Sequence, residues 1–360
     1  MKVAIIAPYF SGFGCNESEL AEEFTNLGHK ITIFKTDIKK GSRLEFFKDF
    51  KEPEYRVIKV PVIFNFRGWP LTKNFSDKLK DFDLIMAQED YQYMSYIAFL
   101  ASKKYNIKYI VSNERYISPK FPKSIFLEII EFLFSTKIRK YANYITVHAN
   151  SAKEYLLKKG VKKEIKIIPT PINLEKFNQF KSIKLKQIYN FKEKDIVILS
   201  QGRLVYNKNY ELLIKKFKDL PKNYKLVIVG MGVKKDKLLS IIKENNLDNI
   251  FIYDKFVNHE DMPKFINSCD IYIQPSINEP FGIVVREAMA CGKPIIVTKI
   301  GGMADAIEDN GIYLNNDLSN LREAIDYCYK NRNELSINSL KAVKKYDVKK
   351  ICKEYLNLIK

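Results

Sequence analysis

Residues 270–299 read DIYIQPSINEPFGIVVREAMACGKPIIVTK. The apolar run 271–276 has strand character, and INEPFG turns the chain at a Pro-Phe-Gly corner. The stretch IVVREAMACG has helical spacing and is closed by Gly292; KPIIVTK begins a second strand. Strand, corner, helix and strand in succession make a parallel unit, whose strands are covered on both faces and therefore apolar throughout. The corner also raises a chemical question. In a chain of formal net charge +19, Glu279 sits just before the corner and Glu287 follows in the second turn of the helix.

The same unit recurs outward in both directions. Before it come DIVILSQG, KLVIVGMG and IFIYDK. The first half carries KVAIIAP, KITIFK, DLIMAQ, KYIVSN and YITVHA, with the helix ESELAEEFTNLG stopped at Gly28 after the first strand. The fold class is α/β, with two Rossmann-like, doubly wound parallel-sheet domains in tandem. Between them lies KIIPTPINLEKFNQFKSIKLKQIYNF, whose prolines and mixed polarity suit a connection. The expected division is 1–172, 173–345 and a C-terminal helix, 346–360, that packs back on the first domain. Ligands of such sheets bind outside the carboxyl ends of the strands.

A chain of 360 residues fits two domains, and 46% hydrophobic with 29% charged residues is an ordinary globular balance. No apolar run reaches membrane-spanning length, and the start MKVAIIAPYFSGFGC is too short in apolar residues for a signal peptide. Cys15, Cys269, Cys291, Cys328 and Cys352 lack metal or redox spacing, and His29, His148 and His259 do not cluster, which speaks against a zinc site. The surplus of lysine and arginine, 61 against 42 acids, is spread without a basic tail. It fits a lysine-rich proteome, phosphate-bearing ligands or an anionic membrane better than nucleic acid.

Three loops carry chemistry. Ser11-Gly12-Phe13-Gly14 follows a strand and precedes a helix, where glycines let backbone approach a phosphate; it also reads as a plain tight turn. In GRLVYNKN, 202–209, Arg203 and Lys208 stand just past a strand end, as a diphosphate clamp or as two solvated cations. At the corner, Phe281 and Gly282 offer backbone N–H groups to a phosphate. Carboxylates repel phosphate but accept from hydroxyls, so Glu287 suits a ribose and Glu279 a sugar on the far side of a diphosphate.

The stretch EPFGIVVREAMACGKPIIVTKIGG resembles the signature of retaining family-4 glycosyltransferases of the GT-B fold. GRLVYNKN is similar to that family's Arg/Lys loop, VGMG to its glycine turn and SGFG to a reduced form of its N-terminal loop. The resemblance implies that Arg203 and Lys208 hold the donor diphosphate and Glu287 its ribose. It implies that Glu279 with Phe281, Gly282 and Ile283 holds the transferred sugar, and that Gly14 approaches the diphosphate from the other domain. Catalysis would rest on Glu279, Arg203 and Lys208, with no metal and no cofactor beyond the nucleotide-sugar donor. The implied acceptor is a glycan or lipid-linked hydroxyl; the enzyme would be cytoplasmic, peripheral at the inner membrane face, and would bind no nucleic acid.

The chain departs from the family where Met86, Gln88 and Glu89 stand in place of histidines, and where Thr170-Pro171 alters the connection. These departures leave room for a catalytically degenerate GT-B binding subunit; an epimerase or glycan phosphorylase on the same fold is the other alternative. Three further features read as structural. Asp81-Phe82-Asp83 precedes a strand and is a surface turn, 123–144 is an amphipathic core helix that could also meet a membrane, and His148 supports the fold.

Overall fold

The computed structural model describes residues 1–10, 15–38, 54–66, 69–118, 123–179, 182–183, 185–307 and 310–360. Gly14 lies outside the described residues. The chain forms two compact units, Met1–Pro171 with Val348–Lys360, and Ile172–Asp347.

The first unit is built on β1 (Lys2–Ile6), β2 (Lys30–Thr36) and β3 (Arg56–Val60). A two-stranded antiparallel ribbon follows, β4 (Val62–Phe66) and β5 (Trp69–Thr72), then β6 (Leu84–Gln88), β7 (Lys108–Asn113), β8 (Tyr144–Val147) and β9 (Ile165–Ile167). The main sheet is all parallel in the order β3-β2-β1-β6-β7-β8-β9. Side-chain alternation divides its core in two: Ala4, Ile6 and Val111 pack on one face, Val3, Ile5 and Ile110 on the other. Met86 belongs to the second face, together with Ile351 and Tyr355 of the helix Val348–Leu358, which lies against the helix Asn16–Asn26. The residue in place of a family histidine is thus a core residue.

β3 and β9 are edge strands, with charged residues in Arg56-Val57-Ile58-Lys59-Val60 and Ile165-Lys166-Ile167 where the central strands are apolar, so neither reads as a buried strand. The segment 123–144 is not one helix. Lys123–Ile130 passes through a π turn, Glu131–Ser135, into Thr136–Tyr141.

The second unit is regular. β10 (Ile196–Gln201), β11 (Tyr224–Val229), β12 (Ile250–Tyr253), β13 (Ile271–Gln274), β14 (Ile295–Thr298) and β15 (Ile312–Leu314) form a parallel sheet in the order β12-β11-β10-β13-β14-β15. Both faces are covered, with Ile198 and Ile273 inward on one side and Leu199 and Tyr272 on the other. The strand order reverses between β10 and β13, so the loops after these two strands diverge to opposite sides and leave a crevice.

Candidate active site

The sequence motifs of the second unit meet at that crevice. Gln201 ends β10, and the loop after it carries Arg203 and Lys208. Glu279 lies in the loop after β13, and Glu287 on the following helix Ile283–Ala290, capped by Gly282. Asn207 joins the two loops: its carbonyl accepts from the Ile277 amide at 2.9 Å, and its Nδ2 donates to the Asn278 carbonyl at 3.2 Å. Beneath them runs a polar floor. The Tyr272 hydroxyl donates to Gln274 Oε1 at 3.2 Å, and Gln274 Nε2 donates to Ser276 Oγ at 2.9 Å.

Two glycines allow the close packing. A Cβ on Gly302 would sit 2.2 Å from the Pro280 carbonyl oxygen, and the Gly302 amide donates to the Glu279 carbonyl at 3.0 Å. A Cβ on Gly230 would sit 1.9 Å from the Gly202 carbonyl oxygen. The GG pair therefore clamps the Glu279 corner, and the VGMG turn supports the Arg/Lys loop; neither site has space for a side chain.

Lys208 and Glu279 form an ion pair, Nζ to Oε2, with side chains only 10% and 13% exposed. Arg203 is exposed and makes no side-chain bond among the described residues. Glu287 is buried, and both carboxylate oxygens are held: Oε2 accepts from Gln201 Nε2, and Oε1 from His259 Nε2 at 2.8 Å. Phe281 and Ile283 flank the cap of the same helix. Six of the eight predicted site residues (Lys208, Glu279, Phe281, Gly282, Ile283 and Glu287) thus share this corner or its ion pair, and Arg203 stands at the mouth of the adjoining loop. Gln201, Asn207 and His259 were missed by the sequence reading. Gln201 is the residue before GRLV and could have been noticed; nothing around His259 ties it to Glu287 in sequence. Among the described residues no group of three or more His, Cys, Asp or Glu is placed to hold a metal ion.

At the equivalent reversal of the first unit, between β1 and β6, Glu89 follows β6 with φ of 62°, a left-handed backbone rare for such a residue. Its Oε1 accepts from the Glu114 amide at 3.2 Å. Burial pushes its carboxyl up to about 8, against the pull of Arg115. His148 donates through Nδ1 to the Ile168 carbonyl at 2.8 Å and meets Asn16 Nδ2 through Nε2 at 3.4 Å, a framework role. Asp81 and Asp83 lie in an exposed turn, where Asp83 accepts from the Lys2 amide at 2.7 Å.

Comparison with known proteins assigns both units. The family described as Glycosyltransferase Family 4 matches residues 18–176, and Glycosyl transferases group 1 matches residues 181–346. The uncharacterized glycosyltransferase MJ1069 of Methanocaldococcus jannaschii is 27% identical over 97% of this chain and 94% of its own length. A Campylobacter jejuni enzyme, N-acetylgalactosamine-N,N'-diacetylbacillosaminyl-diphospho-undecaprenol 4-alpha-N-acetylgalactosaminyltransferase, is 36% identical over 38% of this chain and 35% of its own. The chain covers less than half the length of several curated relatives it matches, 41% of one and 42% of another. The structure of Anabaena Alr3699/HepE in complex with UDP superposes with a TM-score of 0.81 at 19% identity, over 100% of this chain and 99% of that one. With two doubly wound sheets, a corner carrying the paired glutamates, and two adjoining family matches that together run from residue 18 to 346, the chain belongs to the family-4, group-1 glycosyltransferases of the GT-B fold.

Proposed function

We propose that this protein moves a sugar from a nucleoside diphosphate sugar to a hydroxyl of a lipid-linked or cell-surface glycan, with retention at the anomeric carbon. The observation that carries the reading is the convergence of Lys208, Glu279 and Glu287 on the crevice between β10 and β13. Lys208 and Arg203 neutralise the departing diphosphate, and the amides at Phe281 and Gly282 receive its oxygens. No metal is needed for that charge in this reading. Glu279 orients the transferred sugar, and Glu287 accepts from the ribose hydroxyls. A phosphate oxygen of the leaving group takes the acceptor proton. UDP is the first candidate nucleotide, because the Anabaena neighbour was solved with it.

The test is a thermal-shift series with UDP, GDP, ADP and CMP and their sugar conjugates on wild type, Glu287→Ala and Arg203→Ala. One nucleotide at a hundred times its dissociation constant should stabilise the wild type by about 2.7 kcal/mol. Both variants should lose most of that gain. A series in which no nucleotide stabilises the wild type would sink the donor assignment.

The acceptor reading draws on the C. jejuni relative, whose name places its acceptor on diphospho-undecaprenol. Among the described residues no helix is long and apolar enough to cross a membrane. The first unit instead exposes Ile63 (68%), Phe64 (56%), Ile125 (51%), Ile129 (53%) and Phe132 (75%) along β4, the helix Lys123–Ile130 and the π turn after it. Phe66 and Phe126 join these elements with ring centroids 5.0 Å apart. Exposed Lys73 stands at the foot of the ribbon, and exposed Lys137 and Lys140 continue the helix. An apolar face bordered by lysines suits an anionic bilayer at the inner membrane face. The wild type should float with phosphatidylglycerol-containing vesicles, less so at high salt. The double variant Phe64→Ser/Phe132→Ser should bind them about tenfold less while folding normally, since both side chains are largely exposed. Equal flotation of the two proteins would refute this surface.

A further inference from the structure

Glu287 does not stand alone in its crevice. Its side chain is 4% exposed, and hydrogen bonds from two distant parts of the chain fix its carboxylate. Gln201 reaches it from the end of β10. His259 reaches it from the loop that follows β12, with its ring against Phe177 at a centroid distance of 4.9 Å. Phe177 is itself 2% exposed, so His259 packs on a core ring. The loop is tied by the Asp261 and Met262 amides, which both donate to the Asn258 carbonyl, at 2.9 and 3.1 Å.

A carboxylate offers about four acceptor directions. Nε2–H of His259 and Nε2–H of Gln201 take one on each oxygen and set the plane of the group. One direction on each oxygen is left, the number that two vicinal hydroxyls require. An unsupported glutamate would have to give up its side-chain freedom when a ligand bound; a carboxylate already held in place has less to lose. We infer that His259 and Gln201 are positioning residues for the nucleotide ribose, acting through Glu287. This rests on the ribose role proposed above for Glu287. A purely structural pair would fill a gap and satisfy a buried charge, with no effect on which sugar the site prefers.

The experiment compares binding of UDP, 2′-deoxy-UDP and 3′-deoxy-UDP by titration calorimetry on the full chain, with GDP and ADP pairs run in parallel. The wild type should prefer a ribonucleotide over its deoxy forms about tenfold or more. Glu287→Gln should erase the preference. His259→Ala and Gln201→Ala should each reduce ribonucleotide affinity about tenfold and leave the deoxy forms nearly unchanged, since one charge-assisted hydrogen bond is lost from the carboxylate. His259→Gln, which keeps an N–H donor at a similar reach, should restore most of the preference. In turnover the alanine variants should raise the donor KM more than they lower kcat. Melting curves without nucleotide establish folding, and His259→Gln with Gln201→Ala carry the comparison if His259→Ala does not fold. If Glu287→Gln loses the preference while both alanine variants keep it, the positioning role is wrong and the ribose role stands. If the wild type shows no preference with any of the three bases, the ribose role fails and this inference with it.

Discussion

Replacing Lys208 by alanine should slow sugar transfer by about 10²–10³-fold while weakening nucleotide binding far less. Lys208 is 8% exposed and is already held at the crevice by Glu279. Its ammonium needs little reorganisation to meet charge that develops as the glycosidic bond breaks. In the ground state the diphosphate carries its charge already, and exposed Arg203 can share it. The added charge on the leaving oxygen appears only in the transition state, where a fixed cation in a poorly hydrated site contributes most. The partner variant separates the roles. Glu279→Gln removes the anion that Lys208 now faces, so UDP affinity should hold or rise while transfer falls. Initial rates at saturating donor, set beside UDP titrations of the same variants, read both effects. A Lys208→Ala enzyme within about threefold of wild-type kcat would mean that the leaving group is neutralised elsewhere.

Much of this site is legible in the sequence, for a physical reason. A parallel sheet must cover both faces, so β10, β11, β13 and β14 are mostly apolar, and each gives way at its carboxyl end to a turn rich in glycine, proline or polar residues. Arg203, Lys208 and Glu279 stand in the loops after β10 and β13, and Glu287 stands on the helix that follows, where spacing along the chain converts into position at the sheet edge. The ion pair between Lys208 and Glu279 joins residues 71 apart and depends on the β10–β13 adjacency, which no local pattern records. His259 lies beyond the end of β12, and it reaches Glu287 only because its loop folds back over Phe177. The edge strands β3 and β9 are hidden for the opposite reason, since with one side unpaired they carry lysine or arginine among their apolar residues, and β15 has only three residues. The π turn at Glu131–Ser135 is hidden because the apolar spacing of 123–144 continues through it.

That π turn leads to the second large effect. Asp90→Ala should destabilise the first unit by about 3–5 kcal/mol, a fall in Tm of roughly 10 °C. Asp90 is 0% exposed and accepts three hydrogen bonds: from Arg139 Nε at 2.5 Å, from Arg139 Nη2 at 3.2 Å and from Asn113 Nδ2 at 2.6 Å. Arg139 next approaches Glu131 at 3.6 Å, and Glu131 also takes Arg115 at 3.0 Å, Lys159 at 3.2 Å and the Tyr155 hydroxyl at 3.1 Å. Burial alone would raise the Glu131 carboxyl, but Arg139, Lys159 and Arg115 together hold it below the ordinary range. A depressed carboxyl contributes stability above its unfolded value and loses it as pH falls, so this network weakens on the acid side. Removing Asp90 leaves a buried guanidinium with Glu131, at 3.6 Å, as its remaining ion-pair partner among the described residues, which costs more than the lost attraction because the charge stays out of water. The double variant Asp90→Ala/Arg139→Leu removes that stranded charge and should recover part of the loss. Calorimetric melts of the three proteins at neutral pH decide the matter. An Asp90→Ala protein that melts with the wild type would show that Arg139 escapes to solvent, and that the loop carrying Glu89 and Asp90 at the end of β6 is held without this ion pair.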